Sequence, residues 1–265
     1  MTTSIFCGFP VISLALGVLL GLSLNLVLHE LGHVIGGLID RYRLVAVRLG
    51  FFLLLAPETD PKTVLREPCR IEACRDNLKC CPSDDDRWHC LLVRGMKFFT
   101  VMVPTTDTDV GRLHRYRWFI LGGIVGNSLM IVTSASLLIC CVIKDDMLTA
   151  LPSVVWHLAG VAIISIAKWC DNAIPRMHDG VGNDAWICDL LRASEQERQD
   201  FRCYMVIYAV VSFGWRGDCD GMNTNNVSIP DILSIYGAFT SEQATGYYAT
   251  AITELLSAQS ARKAL

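Results

Sequence analysis

The sequence predicts an α-helical multi-pass membrane protein, with a three-helix core, a small β element at the membrane face and a helical tail. Composition is the first reason. Hydrophobic residues make up 52% of the 265 residues and charged residues only 18%, a balance that favours a membrane protein over a soluble domain. The second reason is three apolar stretches, at about residues 5–39, 118–143 and 147–173. Each can form the helix of about 20 residues that crosses a bilayer.

The three spans differ in how free of charge they are. Ile5 to Leu28 and Trp118 to Ile143 contain no charged residue, and Met147 to Ala167 has only His157 as a titratable group. A cleaved signal peptide is the alternative interpretation of the first stretch. No basic residue precedes it, however, and the polar motif directly after it would be left without its helix. We therefore expect a retained span.

Basic residues flank the loop that joins the first two spans. They are Arg41, Arg43, Arg48, Arg112, Arg115 and Arg117. The link from Lys144 to Ala150 carries one Lys against two Asp. Because short loops rich in Lys and Arg stay in the cytosol, loop 41–117 and the C-terminal tail are predicted to be cytosolic, and the N-terminus is predicted to lie outside.

Two domains follow from this arrangement. Residues 1–182 form the predicted membrane core, and residues 183–265 form a helical cytosolic tail. Within the loop, Tyr42 to Leu55 is rich in Val, Leu and Phe and predicts one or two strands at the membrane face. Lys97 to Val103 predicts a further short strand, whereas the polar stretch from Glu58 to Arg94 predicts irregular structure.

The tail contains several helix signals. Asp184 is expected to begin a helix that runs through Arg198, and Asp200 to Trp215 is expected to form an apolar helix. This second segment is too short to span a bilayer. Ile229 to Phe239 and Ser241 to Lys263 suggest two more helices.

Charge and cysteine content limit the partners. The net charge is −3 and no basic stripe with interleaved aromatics is present, so a nucleic-acid partner is not expected. Five of the twelve cysteines lie in the predicted cytosolic loop: Cys69, Cys74, Cys80, Cys81 and Cys90. A reducing compartment favours free thiols. A second structural zinc site that includes His89 is the alternative, although the spacing lacks paired C-x2-C knuckles.

The first span ends in His29-Glu30-Leu31-Gly32-His33. Residues four apart on a helix share one face, so both imidazoles can bind one Zn²⁺, and Glu30 can act as general base toward water. The alternative is that three polar side chains merely reach for water at the end of the helix. Ionisable groups at the end of an otherwise uncharged span are costly, and they therefore indicate function.

A catalytic zinc of this type needs a third protein ligand and an open position. The end of the third span is predicted to lie on the same side and at the same depth as the histidine pair. There, Asp179 is followed by Gly180, after Pro175 has broken the helix. Asp179 is the predicted ligand, and His178 is its competitor.

These motifs together resemble the site-2 protease family of intramembrane zinc metalloproteases. The likeness rests on H-E-L-G-H in a core helix, on the strand-like segment after it, and on Asn172-x-x-Pro175 followed by Asp179-Gly180. Gly123 and Asn127 also match the Gly-x-x-x-Asn element of the family, although Gly122 and Gly126 could equally serve helix packing. One departure is that family members usually have one more residue between the Pro and the Asp.

The resemblance implies an intramembrane zinc metalloendopeptidase that hydrolyses peptide bonds of membrane-associated proteins or peptides. It implies Glu30 as the catalytic residue, and His29, His33 and Asp179 as metal ligands. Asn127 and Gly123 would bind the substrate, and the strands after the motif would accept an unwound substrate. Two alternatives stay open. One is a membrane-anchored zincin with its site in the cytosol, and the other is a non-catalytic membrane protein or subunit that retains the protease architecture.

Overall fold

The computed structural model describes residues 3–59, 88–104, 116–143, 152–178, 180–215, 218–219, 222–223 and 246–263. The longer elements are α1 (Thr3–Ile39), β1 (Tyr42–Leu55), β2 (His89–Pro104), α2 (Tyr116–Ile143), α3 (Pro152–Ala173), α4 (Asp184–Ala193), α5 (Glu195–Phe213) and α6 (Tyr247–Lys263). Within the described residues the strands pair as three antiparallel two-stranded sheets. The long one joins β1 with β2, and the two short ones join β3 (Met177–His178) with β4 (Val181–Gly182) and β5 (Asp218–Cys219) with β6 (Met222–Asn223).

Three of the helices are long and apolar enough to cross a membrane. The candidate spans are Pro10–Ile39, Arg117–Ile143 and Ser153–Ala173, which confirms the number and approximate places of the predicted long apolar helices. Large apolar side chains such as Leu19 and Val132 are more than half exposed. Such surfaces are rare on water-soluble monomers and suit a lipid solvent.

The described chain packs as two compact units. One contains residues 1–36 and 118–188, and the other contains residues 37–117 and 189–265. The first unit therefore holds most of the three long helices, and the second holds the β1–β2 hairpin together with most of the tail. The division into functional domains at residue 182 stays a prediction.

Within the first unit, glycines bring α1 very close to its neighbours. A Cβ added at Gly32 of α1 would overlap the carbonyl oxygen of Gly122 of α2, and the reverse also holds. Two turns before Gly32 on α1, Asn25 donates from Nδ2 to the Ser165 hydroxyl of α3 at 2.8 Å. Small residues and interhelical hydrogen bonds are the contacts that hold helices together in lipid, so the three helices form one tightly packed bundle.

In the second unit, β1 and β2 form a long antiparallel hairpin. Tyr42 pairs with Pro104 at one end and Leu55 pairs with His89 at the other. The predicted β1 is confirmed with the expected bounds. The prediction of irregular structure up to Arg94 is wrong in its last part, because His89–Arg94 belongs to β2. Apolar residues alternate there with exposed ones (Leu91 and Val93 are buried), which gives that stretch a buried face.

One face of the hairpin packs against the tail helices. The shared core is built from buried apolar side chains of β1, β2, α5 and α6: Val45, Ala46, Leu53, Leu55, Leu91, Val93, Val101, Val103, Cys203, Val206, Ile207, Ala209, Phe213 and Ile252, joined by Trp215. Since a two-stranded hairpin is marginal alone in water, the helices supply the surface that stabilises it.

The tail differs from the prediction in its breaks. The helix that begins at Asp184 ends at Ala193 instead of continuing to Arg198, and α5 begins at Glu195. The reason is Ser194, whose side chain accepts a hydrogen bond from the Glu197 backbone and caps the new helix. The described helix α6 falls within the segment predicted as the last helix. The predicted helix Ile229–Phe239 lies outside the described residues.

Candidate metal centre

The two histidines of α1 face each other at the end of the helix. His29 and His33 are separated by one helical turn, and their Nε2 atoms lie 3.1 Å apart. The rings meet edge to face with centroids 4.6 Å apart. The spacing of four residues therefore does what the sequence predicts, because it turns two ring nitrogens toward one point.

A carboxylate completes the cluster. Asp184 is the first residue of α4, and its Oδ2 lies 3.3 Å from His29 Nε2 and 3.6 Å from His33 Nε2. This oxygen is buried and accepts no hydrogen bond within the described residues. A buried carboxylate oxygen without a donor is costly, and a bound cation at this point would satisfy it. His29, His33 and Asp184 are the group of described side chains that could hold a metal ion.

The dimensions of this triangle suit a small divalent metal. In a tetrahedral site with bonds of about 2.0–2.1 Å, any two ligand atoms are about 3.4 Å apart. The three separations here are 3.1, 3.3 and 3.6 Å. They match one face of such a tetrahedron, and among the described residues no fourth ligand side chain joins the group. The residues present therefore fit a small divalent metal by number, type and spacing.

Outer hydrogen bonds orient the two rings for ligation. His33 Nδ1 lies 2.7 Å from the backbone oxygen of Phe119 on α2. Because that oxygen can only accept, Nδ1 carries the proton and Nε2 keeps its lone pair for a metal. Metal-binding histidines commonly donate their second N–H to a carbonyl in this way.

Two side-chain amides lie near the Nδ1 atom of His29. Asn127 of α2 places its amide 3.3 Å from His29 Nδ1, and Asn172 of α3 places its own at 3.5 Å. The Asn127 Oδ1 is buried and has no partner among the described residues. Both amides present their Nδ2 atom to this ring nitrogen.

Gly123 gives the two rings their room. A Cβ at this position of α2 would lie 2.5 Å from His29 Cε1 and 2.6 Å from His33 Nε2, far inside van der Waals contact. Any larger residue would displace one of the rings. Gly123 and Asn127, expected from the sequence to bind substrate, thus lie against the histidine pair, and a role toward substrate stays a prediction.

The remaining residues named from the sequence divide into two groups. Glu30 is buried, at 7% exposure, and sits between the two histidines in the same helix. Asp179 and the side chain of His178 lie outside the described residues, so the prediction that Asp179 is the third ligand stays a prediction. The loop cysteines other than Cys90 also lie outside them, and Cys90 is an exposed free thiol.

Asp184 is a candidate ligand that the sequence did not indicate. It was identified only as the start of a helix, which is correct. Its functional signal in the sequence is weak, since an Asp in the first turn of a helix is usually explained by the helix dipole. Only the path of the chain between α3 and α4 brings it to the histidines.

No family model matches this chain, and no curated protein or solved structure matches it. The chemistry available to the site follows from its own atoms. Two imidazoles and one carboxylate whose ligand atoms converge can bind a divalent metal ion.

Proposed function

We propose that this chain is an intramembrane zinc metalloendopeptidase, a relative of the site-2 proteases that its motifs resemble. Its substrates would be membrane-associated proteins or peptides. The observation that carries the proposal is the convergence of His29 Nε2, His33 Nε2 and Asp184 Oδ2 at separations of 3.1–3.6 Å. That arrangement stands at the end of a helix apolar enough to cross a membrane.

Zinc is the metal that best suits two imidazoles and one carboxylate with an open fourth position. When bound, it lowers the pKa of water and polarises the scissile carbonyl. We propose Asp184 as the third ligand because its oxygen already lies within reach of both histidines. Asp179, which the sequence favours, is the rival.

Glu30 is the proposed general base and acid. It would accept a proton from the attacking water and return it to the departing amine, so that the proton balance of hydrolysis closes. Glu30 is buried, and it stands next to His29 in the sequence of the same helix. Asn127 lies beside His29 Nδ1 through its amide, and we propose that a substrate backbone also uses this amide.

A transmembrane substrate poses a further requirement. Its carbonyls are engaged in helical hydrogen bonds, so it must unwind locally before its backbone can be attacked, and lipid tolerates this only inside a protein cavity. The β1–β2 hairpin is two-stranded within the described chain, so each strand has an outer edge. As the family resemblance implies, an unwound substrate could pair with such an edge.

The proposed orientation follows the basic residues that flank the spans. The N-terminus and the link from Lys144 to Ala150 would lie outside, and loop 41–117 and the tail would be cytosolic. The metal centre would then lie on the cytosolic side, since α1 contributes to it near its C-terminal end and α4 follows the third span.

Metal content of the detergent-purified full chain tests the site. We expect one zinc per chain in the wild type, measured by elemental analysis, and less than a tenth of that in His33→Ala. Asp184→Asn should lose zinc to a similar degree, whereas Asp179→Asn should retain it. Full zinc in Asp184→Asn with loss in Asp179→Asn would transfer the ligand role to Asp179. A wild type without zinc after purification in zinc-containing buffer would contradict the metal centre itself.

Proteolysis is tested separately by Glu30→Gln, which keeps the size of the side chain and removes the proton carrier. We expect zinc content to be unchanged and cleavage to fall by a factor of at least about 100. The probes are fluorescein-labelled casein and a labelled transmembrane peptide in detergent. If the wild type binds zinc and cleaves neither probe, the non-catalytic alternative gains support. Near wild-type cleavage by Glu30→Gln would show that the proposed mechanism is wrong.

A further inference from the structure

The segment between α3 and α4 is closed at its base by one side chain. Asn183 Oδ1 accepts from the backbone N–H of Arg176 and from that of Trp186, both at 3.0 Å. Its Nδ2 donates to the backbone oxygen of Ile174 at 2.7 Å and to that of Asp171. An amide side chain can make four such bonds, and Asn183 makes all four.

These bonds join three pieces of backbone. The Asp171 and Ile174 oxygens belong to the end of α3, where carbonyls lack helical partners. The Arg176 N–H begins the short β3–β4 turn, and the Asn183 backbone N–H returns a bond to the Arg176 oxygen at 3.0 Å. The Trp186 N–H belongs to the first turn of α4, for which Asn183 is the N-cap. One residue thus fixes how α4 leaves α3.

The residue directly after Asn183 is Asp184, the proposed third ligand. Since α3 also supplies Asn172 beside His29, the end of α3 and the start of α4 are both tied to the metal centre. The backbone of Asp184 is therefore fixed from the base of the segment.

We propose that Asn183 is a positioning residue of the metal centre, which holds Asp184 Oδ2 at ligand distance from the two histidines. The inference rests on the proposed function, because it assigns Asn183 a role only through a metal bound at that site. It adds a requirement that the H-E-x-x-H motif does not contain: the third ligand is delivered by an amide that closes the α3–α4 connection.

Asn183→Asp separates this role from helix capping. Asp is as good an N-cap as Asn, so the bonds from Arg176 and Trp186 are kept. The new carboxylate oxygen would instead face the Asp171 and Ile174 carbonyls, where acceptor meets acceptor, and the base of the segment would open. Asn183→Ser keeps the cap and loses the reach to α3. Ser194→Ala, which removes the cap of α5, is the matched control for loss of a helix start away from the metal.

The experiment measures zinc affinity by chelator competition on the full chain in detergent, together with the rise in Tm on adding zinc. We expect both Asn183 variants to bind zinc 10–100-fold more weakly than the wild type, the usual effect of losing an outer partner of a metal site. Ser194→Ala should lower Tm without a change in affinity. The Co²⁺-substituted proteins provide a spectroscopic check, since intense visible d–d bands of a four-coordinate ion should weaken in the Asn183 variants alone.

The outcomes are distinct. Wild-type zinc affinity and wild-type Co²⁺ bands in both Asn183 variants would overturn the positioning role while leaving the proposed function intact. A variant that is merely less stable still gains Tm on adding zinc if its site is whole, and that result would also count against the inference. Failure of the wild type to bind zinc would instead contradict the proposed function.

Discussion

Asp184 and Glu197 are both carboxylates in the first turn of a helix, yet their surroundings differ in kind. Glu197 is buried in the tail, and its two oxygens accept from the backbone N–H groups of Tyr247 and Tyr248 at 2.6 and 3.2 Å. It therefore caps the start of α6, where unsatisfied N–H groups and the helix dipole attract a negative charge. Its hydrogen bonds are supplied by protein.

Within the part of the chain that the structure describes, Asp184 Oδ2 accepts no such hydrogen bond. Asp184 Oδ2 faces two imidazole nitrogens, and the hydrogen bond of His33 to Phe119 directs the lone pair of at least one of them inward. Acceptors that face acceptors repel one another unless a cation or a proton lies between them. The two carboxylates therefore differ in the chemical type of their neighbours: backbone donors surround Glu197, and imidazoles face Asp184.

Two glycines test this difference, one beside each cluster. Gly123→Ala would place a Cβ 2.5–2.6 Å from the His29 and His33 rings, and Gly246→Ala would place one 2.7 Å from Glu197 Oε1. Metal sites tolerate ligand displacements of only about 0.2 Å. We therefore expect Gly123→Ala to weaken zinc binding by a factor of about 100 or more, measured by chelator competition.

Gly246→Ala should act on stability instead. Moving the Glu197 carboxylate weakens its bonds to the start of α6, at a cost of about 1–3 kcal/mol, while zinc affinity stays at the wild-type value. Thermal unfolding in detergent, monitored by intrinsic fluorescence, measures the first effect. Equal zinc affinity in the two variants would remove the distinction drawn between the clusters.

Local patterns accounted for much of what could be predicted. The spacing of His29 and His33 follows from helical geometry alone, and three long apolar stretches are sufficient to predict three long helices. The break at Ser194 was also readable, because Ser194 followed by Glu197 is a capping-box sequence. The predicted helix through Arg198 runs across this break.

Residues that depend on the path of the chain could not be predicted. Asp184 reaches the histidines across the α3–α4 connection, which Asn183 closes with four hydrogen bonds, and neither the length nor the closure of that connection is encoded in a local pattern. The start of β2, from His89 to Arg94, could not be predicted for a related reason. His89 to Arg94 has only a few alternating apolar residues, and its strand is defined by pairing with β1 and by the helices packed on it.

The smallest expected effect concerns Asp200, which is buried on the same helix as Glu197, three residues further along. Burial raises its pKa above the ordinary value of 3.8, and the charge of Glu197 adds to this, while a hydrogen bond from Gln196 opposes it. The folded state therefore binds the Asp200 proton more tightly than the unfolded state does. The ionised form carries a folding cost that is absent well below pH 3.8 and appears as pH rises through the raised pKa.

Asp200→Asn removes that cost, because an amide has no charge to bury and its Oδ1 can still accept from Gln196 Nε2, which donates at 2.8 Å in the wild type. At neutral pH the variant should be the more stable protein, by less than about 1 kcal/mol, and the difference should shrink as the pH falls toward 3.8. The measurement is Tm in detergent from about pH 4 to 8, a range that includes the raised pKa. Glu195→Gln, a substitution at an exposed residue of the same helix, is the control. A variant that is less stable than the wild type across the whole range would show that the charge of Asp200 stabilises the tail. Asp200 would then resemble Asp184, whose proposed role also depends on a negative charge.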